Sequence, residues 1–220
     1  MLFEIVTSFV LTVFSVLLPI VTQYLLEKFK YPKIDPAAII TQTSSNTLIA
    51  LHYLVVWIIV CVIMMKVQLN WTTSSYDILR VPSVILIIDF FGYIYHYVFH
   101  TKFLYMHFHY CHHLIRNPGS FRDNTYTNII DWTASVLTYM APFAIVDVTI
   151  PVLLVYMLVT IQIQVNHSGL KTPKIPGIIS STEHHIHHIK PKYNFCELTT
   201  TFDRLFATYL SESEFNKSYP

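Results

Sequence analysis

Apolar residues run along this chain in long blocks, and polar residues gather between them. The first block covers residues 2–26 and is broken only by Glu4 and uncharged polar groups. Others cover 47–69, 81–99, 129–146 and 150–165. A helix needs about 20 apolar residues to cross a hydrocarbon core of about 30 Å. The pattern therefore predicts an all-α protein, a multi-span membrane helical bundle. The last two blocks either cross separately or form a helical hairpin that enters the membrane. Pro82 suits the first turn of the third helix, and Pro19 is placed to kink the first. A secretory signal would open on a basic stretch, whereas only Glu4 precedes the first block, so that block is read as a retained membrane helix. Polar segments at 96–128 and 166–210 would form a helical cap on a single membrane-integral domain, residues 1–220.

Composition supports this picture. The chain is 53% hydrophobic and 12% charged, with a mean hydropathy of +0.47, against roughly 25% charged residues in soluble domains. A formal net charge of +1 gives no reason to expect a nucleic-acid partner. The three cysteines, Cys61, Cys111 and Cys196, are scattered, so neither a disulfide framework nor a thiolate metal motif follows.

The polar segments carry unusual chemistry. Histidines cluster at His96/His100, at His109/His112/His113 and at His184/His187/His188, with His185 inside the third cluster. Residues three and four apart share a helix face, so each cluster aims its imidazoles toward one point. Without a metal, such neighbours leave nitrogens unpaired or repel when protonated. With His167 they make nine candidate ligands, more than one tetrahedral site uses and enough for two ions with positions left open. His52, alone in an apolar run, reads as an ordinary packed histidine, and Cys111 as packing. Asp89, Tyr93, His96 and His100 form one helical stripe. A carboxylate within a membrane helix needs a strong partner, so Asp89 is expected to hold the free ring N–H of a liganding histidine from another cluster.

Charge gives an orientation. With every block spanning and the 27–46 loop in the cytosol, Lys66 and Arg80 alone among the 14 basic residues lie on the far side. That is the positive-inside arrangement, and it puts all nine histidines on the cytosolic face.

At these residues the chain resembles the fatty acid hydroxylase/sterol desaturase superfamily, integral-membrane enzymes with histidine boxes H-x3-H, H-x2-HH and H-x2-HH. Asp89-Phe-Phe-Gly-Tyr93-Ile-Tyr-His96 is similar to the D-x3-Y-x2-H lead-in, and Leu104-Tyr105-Met-His107-Phe-His109 to the L-Y-x-H-x-H approach to the second box. His167-Ser168-Gly169 matches the H-S-G of the sterol-oxidising branch. Asn194-Phe195 and Thr201–Thr208 resemble the closing N-[YF]-G and W-D-R-L-F-G-T. The pattern departs at Tyr97, where a basic residue is usual, at Ala207, where glycine is usual, and at Asn128–Asp131, where the family has H-P-x-E.

The resemblance implies a non-haem centre of two iron ions on His96, His100, His109, His112, His113, His167, His184, His187 and His188. Asp89, Tyr93, Asp131, Asn194 and Asp203 would support the ligands or offset the charge, as would Glu183. It implies O2 as co-substrate and hydroxylation or desaturation of a membrane lipid, a sterol or a fatty acyl chain, at the endoplasmic reticulum. The chain carries no dinucleotide, haem or ferredoxin motif, so a separate membrane cytochrome or reductase is expected to supply electrons. Two other classes fit some of the features: a membrane zinc or iron transporter, and a non-catalytic family member.

Overall fold

The computed structural model describes residues 73–116 and 126–218, and in the N-terminal part positions 21, 24, 25, 28, 47, 50–55, 58, 59, 69 and 70. The expected spans at 2–26 and 47–69 lie largely outside the described residues.

The described chain is mostly helical. Its longest element, α1 (Asp77–Phe99), has 23 residues, about 35 Å at 1.5 Å per residue. It is the one described helix long and apolar enough to cross a membrane. Asp77 sits in its first turn, at the positive end of the helix dipole. After a single turn, Lys102–Leu104, the chain forms a π-helix over Tyr105–His109 and then α2 (Tyr110–His113).

The blocks at 129–146 and 150–165 become α3 (Ile129–Met140) and α4 (Ile150–Asn166), joined through a tight turn at Ala141–Ala144. The Asn128 side chain caps α3 by accepting from Ile130 N at 2.9 Å. Pro142 ends that helix short of the expected boundary, and Pro151 starts the next. At 12 and 17 residues they reach about 18 and 26 Å, less than a bilayer core of about 30 Å. The hairpin alternative fits these lengths better than two full crossings.

At one end of the bundle, β1 (Leu69–Asn70) pairs in parallel with β2 (Val148–Thr149). Beside it Thr149 donates to Asp77 at 2.9 Å, and Arg80 bonds Asp147 at 2.5 Å. Above this end Val84, Ile88, Met140, Phe143, Val152, Val159, Ile163 and Leu198 pack into the main core. Leu86, Leu137, Leu154 and Leu158 are left exposed, an apolar exterior suited to lipid.

The opposite end carries the cap: α5 (Ser181–Ile189), α6 (Thr201–Leu205) and α7 (Glu212–Ser218). A capping box starts α5, in which Ser180 Oγ accepts from Glu183 N while Glu183 Oε2 accepts from Ser180 N at 3.0 Å. The segment around α6 lies along the later turns of α1, with Phe202 against Phe90 and Phe206 stacked on Tyr93 at 5.1 Å. The later half of α1 is therefore a strut beneath the cap, with the chain's own C-terminal segment along one of its faces.

Candidate metal centre

Nine histidines meet where the cap covers α1, and they sort into two groups. His96, His100, His109, His113 and His187 form one; His112, His167, His184 and His188 form the other; within each group the candidate ligand nitrogens all lie within 4.8 Å of one another. All but His100 are buried. Helix geometry explains the sorting. Residues i and i+4 lie about 40° apart around a helix, while i+3 falls on the other side of i. His96/His100, His109/His113 and His184/His188 are i,i+4 pairs, and each pair stays in one group. The i+3 members, His112 and His187, each cross to the group built by the other box, so the second and third clusters divide between two points instead of aiming at one as their spacing suggests. The π-helix opens the second box, a widened turn of a kind often found at functional sites.

The ring nitrogens have been given distinct jobs. His187 Nδ1 lies 2.7 Å from the Tyr193 carbonyl, His96 Nδ1 2.8 Å from the Phe195 carbonyl and His167 Nδ1 3.1 Å from the Ile163 carbonyl. A carbonyl only accepts, so each Nδ1 donates and each neutral ring presents a bare Nε2 lone pair. Those lone pairs converge. His187 Nε2 is 3.2 Å from His113 Nε2, and His113 Nε2 is 3.2 Å from His109 Nε2. In the other group His167 Nε2 is 3.2 Å from His112 Nε2 and 2.9 Å from His184 Nε2. Among the described residues, Nδ1 of His112, His113 and His184 and both ring nitrogens of His188 are buried without a hydrogen-bond partner. Burial, followed by the neighbouring histidines, drives the pKa values of His109, His112, His113, His184 and His188 well below the ordinary imidazole value, and burial holds His167 at about 4. Neutral, convergent, all-nitrogen donors of this kind fit two transition-metal ions, which would take up the crowded lone pairs.

The carboxylates are placed differently from the sequence expectation. Asp89 does not hold a histidine; its oxygens accept from the backbone N of Thr199, at 3.1 Å, and from the Thr199 hydroxyl. The reason is the strut: the C-terminal segment reaches Asp89 before any imidazole does. Asp131 takes the anticipated role instead, with Oδ2 2.8 Å from His109 Nδ1 and 2.5 Å from Thr127 Oγ1. Tyr95, not singled out in the sequence, donates its hydroxyl to the other Asp131 oxygen. Its position, one residue before His96 and so on another face, gave no sign of this.

The remaining candidates brace the ligand-bearing segments. Asp203 accepts from Phe195 N at 2.9 Å, Cys196 N at 2.8 Å and Thr208 Oγ1 at 2.7 Å, fixing the loop whose carbonyl receives His96. The neighbouring Arg204 bonds Thr200 and not Asp203. Asn194 bonds the Glu183 and Leu210 carbonyls from a left-handed φ of 57°. Glu183 is fully buried and accepts from Tyr209 and from Lys174 at 3.1 Å, anchoring the start of α5. The Tyr93 hydroxyl lies 3.3 Å from Thr208 Oγ1. His107 is exposed and turned back to the Phe103 carbonyl, and Cys111 bonds the Phe108 carbonyl, both outside the two groups. His52 packs edge-on against Trp132 at 5.0 Å, as a core histidine should.

The family model for fatty acid hydroxylase matches residues 81–208, the stretch that carries all nine candidate ligands. The chain belongs to the fatty acid hydroxylase family. Its curated relatives in this family are sterol enzymes. A Δ7-sterol 5(6)-desaturase of Aspergillus fumigatus is 27% identical over 139 residues, covering 63% of this chain and 40% of that protein. The lathosterol oxidases of Rattus norvegicus and Homo sapiens are 27% and 26% identical over 146 residues, covering 65% of this chain and 49% of theirs. The chain thus spans less than half the length of these relatives. No solved structure matches it.

Proposed function

We propose that this fatty acid hydroxylase family member hydroxylates or desaturates a sterol-like membrane lipid. On this reading it uses two iron ions held by the nine histidines, O2 as co-substrate and electrons from a separate membrane cytochrome or reductase. The observation that carries the reading is the convergence of nine imidazoles, in groups of five and four, at the head of apolar helices. Iron bound there would supply the O2 chemistry that an unactivated C–H bond requires and that no side chain provides.

The chain's own residues select and hold the donors. Carbonyls at Tyr193, Phe195 and Ile163 fix the tautomers of His187, His96 and His167 so that Nε2 faces the centre. Asp131 does the same for His109 and sets a negative charge against the two ions. The apolar exterior of α1 and α4, with α1 long enough to span, supports a site fed from the bilayer. The basic-residue asymmetry supports placing it on the cytosolic face of the endoplasmic reticulum. Transport is the weaker reading, because the histidines gather at one end of α1 rather than at a midplane site between broken helices.

The test is expression in a host lacking its own sterol and fatty acid oxidases, followed by lipid profiling with and without O2. An O2-dependent hydroxylated or newly unsaturated sterol, absent with His112→Ala, supports the proposal. An unchanged lipid profile from iron-replete protein overturns it, and iron or zinc uptake by vesicles containing the protein would favour transport.

A further inference from the structure

One helical turn below the histidines, a phenol and a carboxyl meet inside the bundle. Gly92 precedes His96 by four residues on α1, about 6 Å along the axis. Its missing side chain leaves room for the Tyr139 ring from α3; a Cβ at Gly92 would stand 3.4 Å from Tyr139 Cε1. The Tyr139 hydroxyl then donates to Glu197 Oε2 at 2.9 Å. Glu197 is held from a second side, its carbonyl accepting from Nδ2 of Asn166, the residue before ligand His167, at 2.7 Å. Both residues are half-buried. Among the described residues, Glu197 Oε1 makes no hydrogen bond.

The surroundings are apolar. Leu198 follows in the chain, and Val136, Val155 and Tyr156 belong to the same packed cluster as Tyr139. Burial lifts the Glu197 carboxyl to about 7, with Asp131 and Asp89 adding to the rise. Near neutrality it can therefore both accept and donate. Polar groups in such a place destabilise a fold relative to well-packed apolar ones unless a partner completes them.

We propose that Tyr139 and Glu197 are the polar end of the lipid site, binding a hydroxyl of the substrate and so setting which carbon lies beneath the metal-binding nitrogens. This deepens the lipid-oxidation reading and rests on it. A carboxylate or phosphate head group would meet Glu197 as a like charge, whereas a neutral alcohol can donate to Oε1. A polar end placed this near the histidines suits a ring alcohol oxidised near its oxygen rather than an acyl chain oxidised far from its head.

The test uses zinc-loaded protein in detergent, which binds without turnover. Lathosterol and its 3-methyl ether are titrated, and the ratio of their dissociation constants is read by thermophoresis. Wild type should prefer the free alcohol by about tenfold or more, the loss of one hydrogen bond to a carboxyl. Glu197→Leu should bind both with the affinity of the ether, and Tyr139→Phe should narrow the gap to a few-fold. A merely structural role would not move this ratio. Equal binding by wild type, or a preference retained by Glu197→Leu, overturns the proposal. Should Glu197→Leu not elute as folded protein, Tyr139→Phe decides, and an unchanged preference there overturns it. If wild type binds neither sterol, the lipid-oxidation reading itself fails.

Discussion

His112 and His113 are consecutive residues whose rings stand at 88° to one another, and they belong to different candidate metal-binding groups. Their substitutions should therefore not be equivalent. His112→Ala leaves three donors in a four-histidine group, while His113→Ala leaves four in a five-histidine group. Elemental analysis should find about two ions per chain in wild type, close to one with His112→Ala and more than that with His113→Ala, because four donors still complete a site. Equal loss in the two variants would contradict the grouping.

Asp131 and Asp89 should behave as opposites. Asp131→Leu frees the His109 ring, and metal affinity should fall on the order of 10–100-fold. Asp89→Asn turns an amide N–H toward the Thr199 donors, so it should lose about 1–3 kcal/mol of stability while keeping full metal content. Metal titration beside thermal unfolding of each variant separates the two roles.

Ala207 holds a left-handed φ of 56°. An L-residue with a Cβ is disfavoured there by roughly 1–2 kcal/mol. Ala207→Gly should raise the unfolding temperature by a few degrees without changing metal content. An unchanged or lower unfolding temperature would mean that the turn is relaxed around the methyl group.

The pH dependence of stability should carry the mark of Glu197. Its carboxyl titrates at about 7 in the folded chain against an ordinary 4.5. Between those values the folded state keeps a proton that the unfolded state has released, so this group's contribution falls as pH rises through that window and is level above it. Glu197→Gln removes the penalty. The variant should unfold at a higher temperature than wild type at about pH 8, and the difference should close toward about pH 4.5. A constant offset across the range would assign the effect to packing instead.

Orientation is open to a direct check. A glycosylation acceptor fused after Pro220 should stay unmodified in microsomes if the histidine cap faces the cytosol, as the basic-residue asymmetry requires.

What the sequence made readable was spacing. The i,i+4 pairs announce shared targets because they follow from the helical repeat alone, and His167 was picked out by the Ser168-Gly169 that follows it. What stayed hidden depends on one segment lying over another. Asp89 and Asp131 are both single carboxylates in apolar blocks, and only the descent of the 195–206 segment along α1 settles which of them reaches a histidine. Tyr95 and Glu197 were passed over for the same reason, since their partners lie 36 and 58 residues away. The early end of α3 is local, set by Pro142 inside a block whose apolar residues look continuous.

Because His187 serves one group while His184 and His188 serve the other, both groups draw on α5, and without it the second keeps only His112 and His167. On the ribosome, residues 96–113 emerge while α5 is still unmade. An ion bound by the second group would therefore be captured only after α5 is made, late in folding. Cells starved of metal should accumulate an inserted precursor whose segment beyond His167 is open to protease, and supplying the metal afterwards should close it without new synthesis.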